Sequence, residues 1–99
     1  MTAYLIVEAK IKDRMKFLKY AQKVQELVAQ YGGKYVVLGG EHEPLEGEWD
    51  DERIVIHRWP NMQSARDFWF SAEYQETKKL RDGTGEFRIM LVEGVQESI

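Results

Sequence analysis

The sequence predicts a single α+β domain of order βαββαβ, a four-stranded antiparallel sheet with helices on one side. Three observations carry this. Segments of period two and period 3.6 alternate in that order, glycines and prolines fall at their junctions, and no linker, repeat or low-complexity tract interrupts them. With 99 residues, 43% hydrophobic and 31% charged, the chain is long enough for one core and too apolar to stay unfolded, so residues 1–99 are expected to form one domain.

The first strand runs from Tyr4 to Ile11, with Leu5, Val7, Ala9 and Ile11 on one face and Tyr4, Ile6, Glu8 and Lys10 on the other. Asp13 is placed to cap the helix that follows, because its carboxylate can accept from the free amides of a first turn. Phe17, Tyr20, Ala21, Val24, Leu27, Val28 and Tyr31 form the apolar stripe of that helix, and Gly32-Gly33 ends it. Tyr35 to Leu38 reads as a short second strand closed by Gly39-Gly40. A polar excursion from Glu41 to Glu52 then precedes the third strand, Arg53 to Trp59, which Pro60 stops. Asn61 caps a second helix that carries Met62, Ala65, Phe68 and Trp69 inward, and Ser71 recaps the chain so that this region splits into two short helices. Tyr74 and Leu80 support the second of these, Gly83 and Gly85 form the exit turn, and Glu86 to Val92 is the last strand.

The absence of cysteine removes disulfides and thiolate metal sites, and with them two usual supports of a small domain, which leaves association as the expected extra source of stability. A net charge of −3 gives no basic excess for phosphates, so nucleic acid is not an expected partner. Met1 to Lys10 has no basic stretch leading into a long apolar one, and no apolar run approaches the ~20 residues that span a bilayer. A cytoplasmic protein without membrane contact is expected. Basic residues cluster between Lys10 and Lys23 and acidic ones between Glu41 and Glu52, a pattern that suits a solvated helix face and a solvated loop.

Helices on one side of the sheet leave its other side uncovered, yet the third strand sets Ile54 and Ile56 against Val55 and Trp59, and the fourth sets Phe87, Ile89 and Leu91 against Met90 and Val92. Both faces carry apolar residues. A homodimer with the two sheets packed together is the expected remedy.

The residues that carry a family resemblance are spread over nearly the whole chain: Tyr31-Gly32-Gly33-Lys34-Tyr35, Gly39-Gly40, Leu45-Glu46-Gly47 with Trp49, Arg53, Trp59-Pro60, Ser71-Ala72-Glu73-Tyr74-Gln75 and Val92-Glu93-Gly94. In this order they resemble the domain of unknown function 1330 family. The resemblance implies a ferredoxin-like βαββαβ unit that pairs as a dimeric α/β barrel, the architecture also used by antibiotic-biosynthesis monooxygenases and muconolactone isomerases. It implies no known reaction. The chain departs from the family pattern at Arg58, where an acidic residue is usual, at Trp59 in place of phenylalanine and at Ala72 in place of proline.

In such a barrel the space between sheet and helices is a natural small-molecule site, for which Tyr20, Tyr35, Trp49, Trp59 and Phe68 supply aromatic walls and Arg53, Arg58, Glu46 and His57 supply polar groups. Aromatics at these spacings also suit plain core packing. His57, the one histidine on a strand, has the ordinary pKa for general acid–base work, although Val55 and Trp59 beside it on the same face suit a packing role equally. Glu46 is expected to pair with Arg53 across the Trp49 loop, the alternative being a base facing the cavity. The loop residues Glu41, His42, Glu43, Glu46 and Glu48 lack a spacing that fixes metal geometry, and no phosphate-cradling or dinucleotide fingerprint is present, so neither metal nor cofactor is expected. Two classes of function follow: a cofactor-free enzyme of the monooxygenase or isomerase type acting on a small aromatic or polyketide-like compound, or a non-catalytic dimeric module that binds a metabolite or supports another protein.

Overall fold

Asp13, Asn61 and Ser71 each accept a hydrogen bond from the backbone N–H three residues on, at 3.1, 2.8 and 3.0 Å, and so start the three α-helices. The computed structural model describes residues 1–50 and 52–95. Its elements are β1 (Ala3–Ile11), α1 (Arg14–Gln30), β2 (Lys34–Leu38), β3 (Arg53–Trp59), α2 (Met62–Trp69), α3 (Ala72–Lys78), a 3-10 turn over Lys79–Arg81 and β4 (Gly85–Glu93). The strands lie in the order β2-β3-β1-β4 with every neighbouring pair antiparallel, which is the ferredoxin-like arrangement. Gly85, expected in the exit turn, instead opens β4 opposite Ile11.

Partners directly opposite in an antiparallel ladder share a face. Ala3 faces Trp59, Leu5 faces both His57 and Leu91, and Val7 faces Val55 and Ile89, which assembles the helix-side surface of the sheet. In β2 the register shifts between Tyr35 and Val37, so that Tyr35 opposes His57 while Leu38 opposes Val55. Strict alternation from Tyr35 would have turned Val37 inward. The extra residue of the bulge delivers Leu38 to the helix side in its place.

The core is concentrated at one end of this layer. Ala3, Leu5, Val24, Leu27, Val28, Trp59, Ala65, Phe68 and Tyr74 form a continuous buried cluster, with Tyr31 and Leu91 packed against it. The Trp59 ring lies over the turn between α1 and β2, where a Cβ on Gly33 would sit 2.8 Å from ring atoms. Only a residue without a side chain lets that turn come down onto the indole. Towards the opposite end of the sheet Val7, Phe17, Tyr20 and Phe87 are only partly buried, and the layers are less well filled.

On the face away from the helices, Ile6, Ile54 and Ile56 are partly buried while Met90 and Val92 are exposed at 65% and 39%. Charged residues interrupt this apolar surface, among them Glu8, which pairs with Arg88 on the adjacent strand.

Gly33→Ala tests the Trp59 contact. Overpacking of this kind is expected to lower the unfolding free energy by roughly 1–3 kcal/mol in urea denaturation. Wild-type stability in the variant would show that the turn can lift off the indole without loss.

Candidate functional site

A strand side chain repeats its face every second residue, so β3 sends Arg53, Val55 and His57 into one line beneath the helices. Tyr35 and Leu38 join them from β2, Tyr20 and Ala21 from α1, and Phe68 from α2. Together they enclose a cavity of about 80 Å³ between sheet and helices, at the poorly filled end of the core. Gln25, Leu38 and Arg53 are exposed and form its rim. His57, Phe68, Tyr74 and Arg81 are buried and form its floor.

His57 is 6% exposed, stands edge-on to Tyr35 at 4.5 Å between ring centres, and its Nδ1 has no hydrogen-bond partner among the described residues. Burial disfavours the charged ring and pulls its pKa from 6.5 to about 4. At neutral pH the ring is therefore an uncharged imidazole with one donor and one acceptor nitrogen, not a group poised near its midpoint as the unperturbed value implied. The Tyr20 and Tyr74 hydroxyls lie 2.9 Å apart. Desolvation raises both phenols above their ordinary pKa and pushes Tyr35 up to about 12, so all three stay protonated. One hydroxyl proton is used within the Tyr20–Tyr74 pair, and the second remains available to a ligand.

Arg53 lies across Gly39, where any Cβ would collide with its guanidinium. Gly39 also has φ +63°, in the left-handed region, and its N–H donates to the Ile54 carbonyl at 2.9 Å. The glycine at the end of β2 thus gives Arg53 its position at the rim.

Arg81 was not visible as a site residue in the sequence. It is 7% exposed, its guanidinium carbon is 4.3 Å from the Phe87 ring centre and 5.5 Å from that of Tyr20, and its Nε has no partner. The spacing Tyr74, Thr77, Arg81 is the signal that marks it, because those positions share one helical face and all three are buried.

The other sequence-derived candidates lie elsewhere. Trp59 belongs to the filled end of the core, with its ring 5.0 Å from that of Phe68, and does not line the cavity. Arg58 alternates to the opposite face, where it is exposed beside Tyr4 and Lys34. Glu46 and Trp49 are joined to each other, Trp49 Nε1 donating to the Glu46 carbonyl at 2.9 Å, in a loop whose groove is lined by Ile54 of that same opposite face. The expected Glu46–Arg53 ion pair is not among those of the described residues. Lys10 and Asp50, 3.3 Å apart, tie the loop to the sheet instead. The reason is alternation: Arg53 points to the helices, while Lys10 and Ile54 face the loop's side. Among the described residues no cluster of three or more histidines and carboxylates is placed to hold a metal, and no helix is long and apolar enough to cross a membrane.

The family model for the domain of unknown function DUF1330 matches residues 2–95. The chain belongs to the DUF1330 family. Solved structures extend the likeness at the level of fold. A protein of unknown function from Rhodopseudomonas palustris is 16% identical, with a TM-score of 0.76 over 96% of this chain and 83% of that one. A candidate antibiotic biosynthesis monooxygenase from Nitrosomonas europaea is 12% identical, with a TM-score of 0.64 over 98% and 93% of the two chains. A dimeric protein of unknown function with a ferredoxin-like fold from Bacteroides fragilis is 14% identical, with a TM-score of 0.62 over 94% and 96%. No curated protein matches the chain. For this DUF1330 chain the likeness to those structures, at 12–16% identity, is one of fold.

The buried imidazole has a consequence for stability. From pH 6.5 down to about 4 the unfolded chain takes up a proton that folded His57 refuses, so stability falls as pH falls through this window and returns as pH rises. The full effect corresponds to about 3 kcal/mol. Urea denaturation at neutral pH and near pH 4 should show a larger loss for the wild type than for His57→Gln. Parallel losses would mean that His57 is solvated in the folded chain.

Proposed function

We propose that this DUF1330 domain binds a small molecule in the cavity between sheet and helices, and that it acts as a cofactor-free enzyme of the monooxygenase or isomerase type on a small aromatic or polyketide-like compound. The observation that supports this reading best is the combination of unfilled space with buried, unpartnered polar atoms, His57 Nδ1 and Arg81 Nε, in walls that are otherwise largely apolar and aromatic. A domain this small gains nothing in stability from such a floor, since unmet buried donors and acceptors each cost about 1–3 kcal/mol. A ligand that supplies their partners accounts for them.

In the catalytic reading His57 is the base. A neutral imidazole can take a proton from an activated carbon or hydroxyl, and negative charge left on the ligand raises the affinity of the ring for that proton. Tyr35 orients the ring by its edge contact, and the spare phenol proton of the Tyr20–Tyr74 pair can meet the developing negative charge. The second reading is a module that binds without turnover, which the depressed pKa of His57 favours, because a weak base is a poor starting point for proton abstraction.

The assembly we propose is a homodimer in which the faces bearing Ile6, Ile56, Met90 and Val92 pack together. Exposed apolar side chains on that surface support it, as does the dimeric state of the ferredoxin-like protein from Bacteroides fragilis.

A thermal-shift screen of aromatic acids, phenols and polyketide-like compounds against wild type and Ala21→Phe tests the site. Ligands should raise the wild-type Tm by several degrees and lose most of that effect when the new ring occupies the cavity. Shifts that survive Ala21→Phe would sink the cavity as the site. Turnover that disappears in His57→Gln while binding persists selects the enzyme, and binding without turnover selects the module. Sedimentation at micromolar concentration should give twice the chain mass; a monomer would overturn the assembly.

A further inference from the structure

We infer that the cavity selects a ligand with a flat apolar body and one carboxylate, and that Arg81 is the group that holds the carboxylate. The inference rests on the cavity being a ligand site and adds the class of ligand it takes.

Charge distribution gives the first argument. The chain contains 17 acidic and 14 basic residues, yet the side chains lining the cavity include two arginines, Arg53 and Arg81, and no aspartate or glutamate. A net acidic protein has kept its carboxylates out of this one space. The ion pairs among the described residues join Lys10 to Asp50, Lys12 to Glu86, Lys79 to Glu76 and Arg88 to Glu8, and none of them involves Arg81.

Burial gives the second. A guanidinium cannot discharge at any pH a protein survives, so at 7% exposure Arg81 is a fixed positive charge largely withdrawn from water, with its Nε fully buried. The Phe87 and Tyr20 rings lie against it and the Tyr74 hydroxyl lies within its reach, which offsets part of the cost, but none of these groups brings a negative charge. Its Nε is left without a partner. The other buried ring in the floor, His57, brings no compensating negative charge, and neither do the protonated tyrosines. The one charge the site lacks is an anion.

Geometry decides among anions. The rings of Tyr20 and Phe87 flank the guanidinium carbon at 5.5 and 4.3 Å, and its planar fork matches two coplanar oxygens better than a tetrahedral group. Phosphate would also bring a second charge and three further acceptors into a space whose other walls are mostly apolar, among them Val7, Phe17, Leu38, Val55 and Ile89, with Gln25 at the rim. A monoanion with an aromatic or alicyclic body meets both halves of the site. Its carboxylate can also accept the spare phenol proton of the Tyr20–Tyr74 pair. Arg53 at the rim adds a second positive charge on the way in, where it draws anions from solvent without being desolvated.

The test uses matched probes, benzoate and phenylacetate against benzamide and phenylacetamide, titrated calorimetrically into the full chain. Wild type should bind each acid roughly tenfold or more tightly than its amide. Arg81→Met should abolish the preference while amide binding persists, and Arg81→Lys, which keeps the charge but loses the fork, should retain a reduced preference. The amide affinities of both variants report that the cavity is intact. Equal wild-type affinity for acid and amide overturns the carboxylate assignment and leaves the cavity standing as a ligand site. A preference that survives Arg81→Met overturns the role of Arg81. No binding of any probe to the wild type overturns this inference together with the cavity reading on which it rests.

Discussion

The distance between sheet and helices at one end of the molecule is set by a single indole. Trp59 fills the layer between the α1–β2 turn and α2, touching the Gly33 backbone on one side and the Phe68 ring on the other. From there α1 runs for 17 residues along the continuous sheet. Towards its other end Phe17 of α1 stacks on Phe87 of β4 at 5.8 Å between ring centres, and this pair lines the cavity together with Val55 and Ala21. The cavity is the space left between Trp59 at one end of the layer and the Phe17–Phe87 stack towards the other.

A site made this way inherits the dielectric of the core. Groups that are ordinary on a surface change character in it: the imidazole loses its proton, the phenols keep theirs, and the one group unable to adapt, Arg81, stays charged. The floor is therefore polarised in one direction. That asymmetry separates this cavity from the groove on the opposite face, where Glu8, Asp50, Glu52 and Arg88 of both signs meet water and each other. The two surfaces lie on either side of the same four strands, and alternation along β1, β3 and β4 is what keeps their chemistries apart.

The fold was legible in the sequence because each element announced itself locally. Asp13, Asn61 and Ser71 are caps by residue type, and all three make the expected bond. Of the nine candidate residues, those that reach the cavity are Tyr20, Tyr35, Arg53, His57 and Phe68, whose faces follow from simple periodicity. Arg58 stood one residue from His57 and so on the wrong face, an inference alternation would have allowed. Glu46 and Trp49 were grouped with the site because their loop joins two strands that contribute to it, but nothing local to a twelve-residue polar excursion says which side of a sheet it will lie against. Arg81 was missed for a different reason: an arginine among lysines and aspartates reads as surface, and only its place in the Tyr74–Thr77 stripe marks it as buried.

The bulge in β2 determines who stands at the mouth of the cavity. Leu38 is at the rim because one strand carries an extra residue over its neighbour, and Val37 is turned away for the same reason. The entrance is therefore a property of register. Were the same residues to pair without the bulge, Val37 would stand opposite Val55 in place of Leu38 and the backbone that seats Arg53 would shift, with the floor unaltered. An edge strand that gains or loses a bulge while keeping its residues thus changes the mouth of the cavity without touching the aromatics below.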